Sequence, residues 1–135
     1  MKTQNNTIAI DKLITAARKA MKYAHAPYSK YKVGAALLCK DGSIYSGCNV
    51  ENASYGLTVC AERTALLKAV SDGKRKFSAI AITSTGKKAQ PYPCGACRQA
   101  MAEFCDKNFV IIVLHPSGRY ATTSLGELLP NSFAL

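Results

Sequence analysis

The sequence is poor in acid. Eight Asp and Glu stand against eighteen Lys and Arg, a formal charge of +10 at pH 7. That imbalance raises nucleic acid as a partner. The basic residues are spread along the chain, however, and the densest runs, Lys74-Arg75-Lys76 and Lys87-Lys88, fall in apparent connections. A solvated basic surface accounts for them. Long apolar runs are missing too: no uncharged stretch approaches the roughly 20 residues that a membrane span needs. Met1 to Asp11 is polar and lacks the apolar region of a signal peptide, so the expectation is a cytoplasmic protein with no membrane association. No internal repeat or low-complexity linker divides the chain. With 135 residues, 48% of them apolar, it reads as a single domain, residues 1–135, with too much apolar content for disorder and enough chain to bury a core without disulfides.

Six cysteines are many for such a chain. In a reducing compartment they are metal ligands or catalytic groups more often than disulfides. Their setting is read from the order of elements. Ile10, Leu13, Ile14, Ala17 and Met21 recur at helical spacing and predict a helix over Ile10 to Ala24, ended before Pro27. Val33 to Cys39 and Ser43 to Val50 read as strands joined by a hairpin turn at Lys40-Asp41-Gly42. Gly56 precedes a second helix, about Val59 to Ser71, which Gly73 stops. Phe77 to Thr83 is a strand, Ser84 to Pro93 a loop, and Cys94 to Cys105 a third helix. Phe109 to Leu114 reads as a strand buried on both faces. A further strand and a short helix opened by the capping box Ser124-Leu125-Gly126-Glu127 complete the chain. Two consecutive strands followed by α-β alternation predict a mixed sheet with helices on its faces.

Two segments carry chemistry: Thr58-Val59-Cys60-Ala61-Glu62-Arg63-Thr64-Ala65-Leu66 and Pro93-Cys94-Gly95-Ala96-Cys97-Arg98-Gln99. Cys94 and Cys97, at i and i+3, fall side by side at a helix start and make half of a zinc site. Residues i and i+2 within a helix point about 200° apart, so Cys60 and Glu62 meet one centre only if Cys60 lies at or before the first turn. Three sulfurs leave a fourth position for water, as in a catalytic site. Three thiolates also leave a divalent ion with excess negative charge. Arg63 and the two helix N-termini are the candidates to offset it. Other readings remain open at this point. Cys94 and Cys97 could be a redox pair, and Cys48, Cys105 or His115 could close the site as a fourth ligand. Cys39, Cys48 and Cys105 otherwise serve as small buried hydrophobes.

The two segments resemble the zinc-dependent cytidine deaminase family. So do Ala26 to Ala36, Gly47 to Ala53 and Leu128 to Phe133. The length resembles the family's short, homotetrameric class. The resemblance implies an α/β fold, a three-layer α-β-α sandwich with a mixed sheet of about five strands. It implies hydrolytic deamination of cytidine and 2′-deoxycytidine to uridine and 2′-deoxyuridine, with release of ammonia. One zinc per subunit would be held by Cys60, Cys94 and Cys97, Glu62 would move protons, and Arg63 would donate to the sulfurs. Asn49 and Glu51 would bind the ribose 3′-hydroxyl. Tyr31, where the family often has Phe, would lie near the base. Phe133 from another subunit would close the pocket, so the active sites would sit at subunit interfaces. The partner implied is a small nucleoside and not nucleic acid. Two alternatives stand beside this: a nucleic-acid-binding zinc module, and a deaminase of another cytosine nucleoside such as blasticidin S. Independently, the apolar end of the chain, Leu128 to Leu135, predicts a covering partner surface.

Overall fold

In the computed structural model, which describes residues 2–135 with side chains from Ile10 onward, the apolar run Val33–Cys39 is a strand covered on both faces. The elements in order are α1 (Lys2–Met21), β1 (Val33–Cys39), β2 (Ile44–Cys48), a 3-10 turn (Tyr55–Leu57), α2 (Ala61–Ser71), β3 (Phe77–Ser84), α3 (Gly95–Phe104), β4 (Val110–Leu114), β5 (Tyr120–Ser124) and α4 (Leu125–Leu128). They build one five-stranded sheet in the order β2-β1-β3-β4-β5. β3 and β4 run parallel and every other neighbouring pair is antiparallel, so the sheet is mixed. α3 provides the crossover that the parallel pair requires.

Strand side chains alternate between faces, and here each face has its own helices. Ala36, Ala79, Ala81 and Ile112 pack with Leu13 and Ala17 of α1. Ala35, Leu37, Ile80, Ile82, Ile111 and Val113 pack on the opposite face with Ala61, Ala65, Leu66 and Ala69 of α2, Met101 of α3 and Leu125 of α4. The result is the three-layer α-β-α sandwich. α1 lies so close to β1 that a Cβ on Gly34 would sit 2.0 Å from the Ala17 carbonyl oxygen and 2.7 Å from the Met21 nitrogen.

Local signals act as their chemistry dictates. Gly42 takes φ +92° in the β1–β2 turn, and Gly73 takes φ +91° after α2. There the Lys74 N–H reaches the Ala69 carbonyl and the Gly73 N–H reaches Val70, the double closure of a Schellman end. The Ser124 hydroxyl accepts the Glu127 N–H at 3.2 Å and opens α4.

Several boundaries depart from expectation. α1 begins at Lys2, eight residues ahead of the expected Ile10; the mostly polar residues before Ile10 carry no apolar period by which the sequence could announce a helix. It ends at Met21, three residues short of Ala24, where Lys22, Tyr23 and Ala24 make tight i→i−3 turns. β2 stops at Cys48 because Val50 pairs elsewhere, with His25 and Val59. That pairing also holds Val59 out of α2. β4 begins at Val110, which is exposed, and only the rest of the strand is buried on both sides. Among the described residues no helix is long and apolar enough to cross a membrane.

Candidate active site

The Val50–Val59 bridge holds the chain extended up to Cys60, which therefore caps α2 instead of entering it (φ −70°, ψ 155°). Cys94 caps α3 in the same way (φ −69°, ψ 170°). Each cap's carbonyl accepts the first helical N–H, from Thr64 and Arg98 respectively, at 3.0 Å. Neither side chain makes a capping bond, so both sulfurs are free to turn inward. Cys97, buried in the first turn of α3, completes the group. The three Sγ atoms lie within 4.8 Å of one another, with 3.9 Å between Cys60 and Cys94.

Thiolates at about 2.3 Å from a tetrahedral zinc stand about 3.8 Å apart, so this donor set fits the ion in spacing and chemistry. Among the described residues the cluster has three donors and no fourth. Cys105 caps the far end of α3, and His115 pairs with Ser117 in the β4–β5 turn. All six cysteines are free thiols.

Charge around the cluster is arranged unevenly. Arg63, one turn along α2, points its Nη2 at the Cys60 sulfur at 3.6 Å. The Cys97 thiol bonded to Cys60, with Arg63 beside it, holds Cys60 down at about 5. The same bond and burial push Cys97 up. Negative charge therefore concentrates on the sulfur nearest the guanidinium, where two helix N-termini also favour it. The Nε of Arg63 is buried without a partner.

Glu62 follows Cys60 by two residues and is 5% exposed. Burial raises its carboxyl to about 7, and the Cys60 charge adds to the effect. That range suits a group that must both take and give a proton. Glu62, Cys60 and Cys94 open into a cleft of about 190 Å³ whose other walls include Tyr31, Val33, Asn49, Thr58, Pro91 and Tyr92.

Asn49 is buried at this cleft. Its Oδ1 accepts the Val33 N–H at 2.8 Å and its Nδ2 donates to the Tyr31 carbonyl at 2.8 Å. Tyr31 stands at the mouth with its ring against Gly86, where an added Cβ would lie 2.7 Å from Cε1. Glu51 lies in an adjoining hollow of about 260 Å³, with Tyr28, Ser29, Tyr55 and Thr58, and Thr58 borders both spaces. Phe133 does not reach the cleft of its own chain. It is 69% exposed, and its carbonyl accepts a bond from Gln99. The fold thus gathers Cys60, Glu62, Arg63, Cys94 and Cys97 at one point, with Tyr31 at the mouth of the cleft and Asn49 buried in its wall. Glu51 lies next door and Phe133 outside.

Sequence reasoning assigned no role to three contributors, although Thr58 and Arg98 lie inside the two segments it singled out. Thr58 and Tyr92 line the cleft, each two residues ahead of a cysteine, and that proximity was the available signal. Arg98 donates from Nε to the Pro93 carbonyl and from Nη1 to the Leu128 carbonyl, each at 2.8 Å, fixing the loop that presents Cys94. Its place beside Cys97 is visible in the sequence, but its partners are not.

Fold and site together define a zinc-dependent enzyme on a three-layer sandwich. Comparison with known proteins narrows the class. The family model for the cytidine and deoxycytidylate deaminase zinc-binding region matches residues 8–113. The chain is 48% identical over 125 residues to the cytidine deaminase of Sporosarcina psychrophila, covering 93% of this chain and 91% of that one. It is 51% identical over 121 residues to the cytidine deaminase of Halalkalibacterium halodurans, covering 90% and 91%. The crystal structure of cytidine deaminase from Burkholderia pseudomallei superposes with a TM-score of 0.87 at 48% identity, over 91% of this chain and 98% of the other. The chain belongs to the cytidine and deoxycytidylate deaminase zinc-binding family.

Proposed function

We propose that this protein deaminates cytidine and 2′-deoxycytidine hydrolytically, giving uridine or 2′-deoxyuridine and ammonia. One observation carries the reading: three sulfurs converge from two helix N-termini and leave one side of the cluster facing a buried glutamate in a cleft. The relatives named above, nearly the same length, support the substrate class.

In this reading Cys60, Cys94 and Cys97 hold one zinc per subunit. Zinc bound there supplies Lewis acidity, which lowers the pKa of a water from about 15.7 to about 7. Glu62 takes the proton that the attacking water gives up and passes it to N3 of the cytosine ring. As the C4–O bond forms and the C4–N bond breaks, Glu62 carries the remaining hydroxyl proton to the departing amino group. Water and cytidine become uridine and ammonia, and the carboxylate returns to its starting state. Arg63 offsets the excess charge of three thiolates, which would otherwise oppose ionisation of the water. Asn49 and Glu51 bind the ribose 3′-hydroxyl, and Tyr31 packs near the base.

The single domain spans residues 1–135, and the protein works as a cytoplasmic homotetramer. Cysteines with no disulfide among them fit a reducing compartment. Exposed Val50, Leu57, Leu67 and Phe133 supply apolar surface for subunit contacts. Phe133 of the partner subunit closes the cleft that the same chain's Phe133 does not reach.

The test is ultraviolet absorbance of cytidine with wild type and Glu62→Gln, alongside metal analysis. Loss of a proton shuttle lowers the rate by about 10²–10⁴-fold. The variant should keep one zinc per chain. Equal rates in the two proteins would end the assignment of Glu62.

A further inference from the structure

Glu51 makes more bonds within its own chain than a free surface carboxylate would. Its Oε1 accepts two backbone N–H groups, from Tyr28 at 3.0 Å and Ser29 at 3.2 Å. Its Oε2 accepts the Ser29 hydroxyl. A carboxylate offers about four acceptor positions, so three are used and one, on Oε2, remains. The hollow beside it holds Tyr28, Tyr55 and Thr58 and adjoins the cleft of the cysteine cluster. The backbone of Glu51 is fixed as well, its N–H donating to the His25 carbonyl at 2.8 Å.

Ser29 has a second bond that points the same way. Its Oγ accepts the Tyr31 N–H at 3.0 Å while it donates to Glu51. The Tyr31 carbonyl in turn accepts from Asn49. One hydroxyl thus ties Glu51 to the Ser29–Tyr31 turn, whose Tyr31 carbonyl in turn takes the amide of Asn49, two residues before Glu51. The turn that makes this possible puts Lys30 at φ +61°, a left-handed conformation that side chains other than glycine's disfavour. Strain of this kind persists where surrounding bonds over-determine the backbone.

We propose that Ser29 is a positioning residue for sugar recognition, holding the Glu51 carboxylate so that its one open acceptor position faces a hydroxyl donor on the substrate. The proposal rests on the nucleoside reading above and adds to it a residue that touches neither the reacting atoms nor the metal ligands. Ser29 is exposed, so Ser29→Ala leaves no void in the core.

The experiment compares wild type, Ser29→Ala and Ser29→Thr with cytidine and with 3′-deoxycytidine. Wild type should favour cytidine. In Ser29→Ala the KM for cytidine rises about tenfold, the scale of one lost bond to a charged group, while kcat falls by less. The ratio of kcat/KM between the two substrates falls toward one, and Ser29→Thr, which keeps the hydroxyl, restores most of it. A Ser29→Ala protein that loses thermal stability but keeps the wild-type ratio would overturn the proposal and leave the deaminase reading standing. So would a wild type indifferent to the 3′-hydroxyl. A wild type inert toward cytidine would overturn the deaminase reading, and the role of Ser29 with it.

Discussion

Glu62 and Glu51 are both carboxylates near one cleft, and their surroundings push them in opposite directions. Burial raises Glu62, whereas the Ser29 hydroxyl, followed by two backbone N–H groups, holds Glu51 below the ordinary carboxylate range. A carboxyl depressed in the folded chain contributes stability above its unfolded value and loses it as pH falls through the folded one. Glu51→Gln should therefore melt below wild type near neutral pH. The gap should narrow as pH drops below 4.5, the ordinary value, as read by thermal unfolding at several pH values. A gap independent of pH would mean that the charge of Glu51 does not matter. At this scale the sequence shows the cluster well. Cys94 and Cys97 announce themselves by spacing, Cys60 joins them only once it is placed at a helix start, and the charge problem of three thiolates points to Arg63 before any coordinates do. Ser29 and Arg98 are a different matter. Their long-range partners, Glu51 and Leu128, lie 22 and 30 residues away, and nothing local to either position records them.

Among elements, the tightest constraint is the approach of α1 to β1. Gly34→Ala would drive a methyl into backbone atoms of α1, which cannot move aside as a flexible side chain can. Such overpacking costs about 1–3 kcal/mol or more, and the upper end applies here. Urea unfolding should show the midpoint falling by a corresponding amount. An unchanged midpoint would mean that α1 shifts freely on the sheet. The elements themselves were legible wherever their signals were local: β1 runs from Val33 to Cys39 as its apolar run predicts, and Ser124 caps α4. The departures come from pairing across the chain. Val50 and Val59 look like the end of a strand and the start of a helix, and each instead pairs with the other. That displacement matters for function, because it leaves Cys60 at the cap, the one position from which both it and Glu62 can face the cleft.

For the whole molecule, Phe133 is not among the walls of the cleft of its own chain, and it is 69% exposed. Sedimentation at micromolar concentration should give a tetramer. Phe133→Ala should weaken cytidine turnover while leaving zinc content unchanged, whereas a monomer with full activity would refute shared active sites. The mixed sheet with helices on both faces followed from element order. The apolar end, Leu128 to Leu135, was the one signal of a covering surface in the sequence; exposed Leu67 and Val50 gave none, because their exposure is a property of the folded surface.

The most direct test of the central claim is X-ray absorption at the zinc edge of the purified protein, taken with its metal content. The account predicts one zinc per chain with three sulfurs at about 2.3 Å and one oxygen at about 2.0 Å. A shell of four sulfurs, or a protein that binds no zinc, would contradict it.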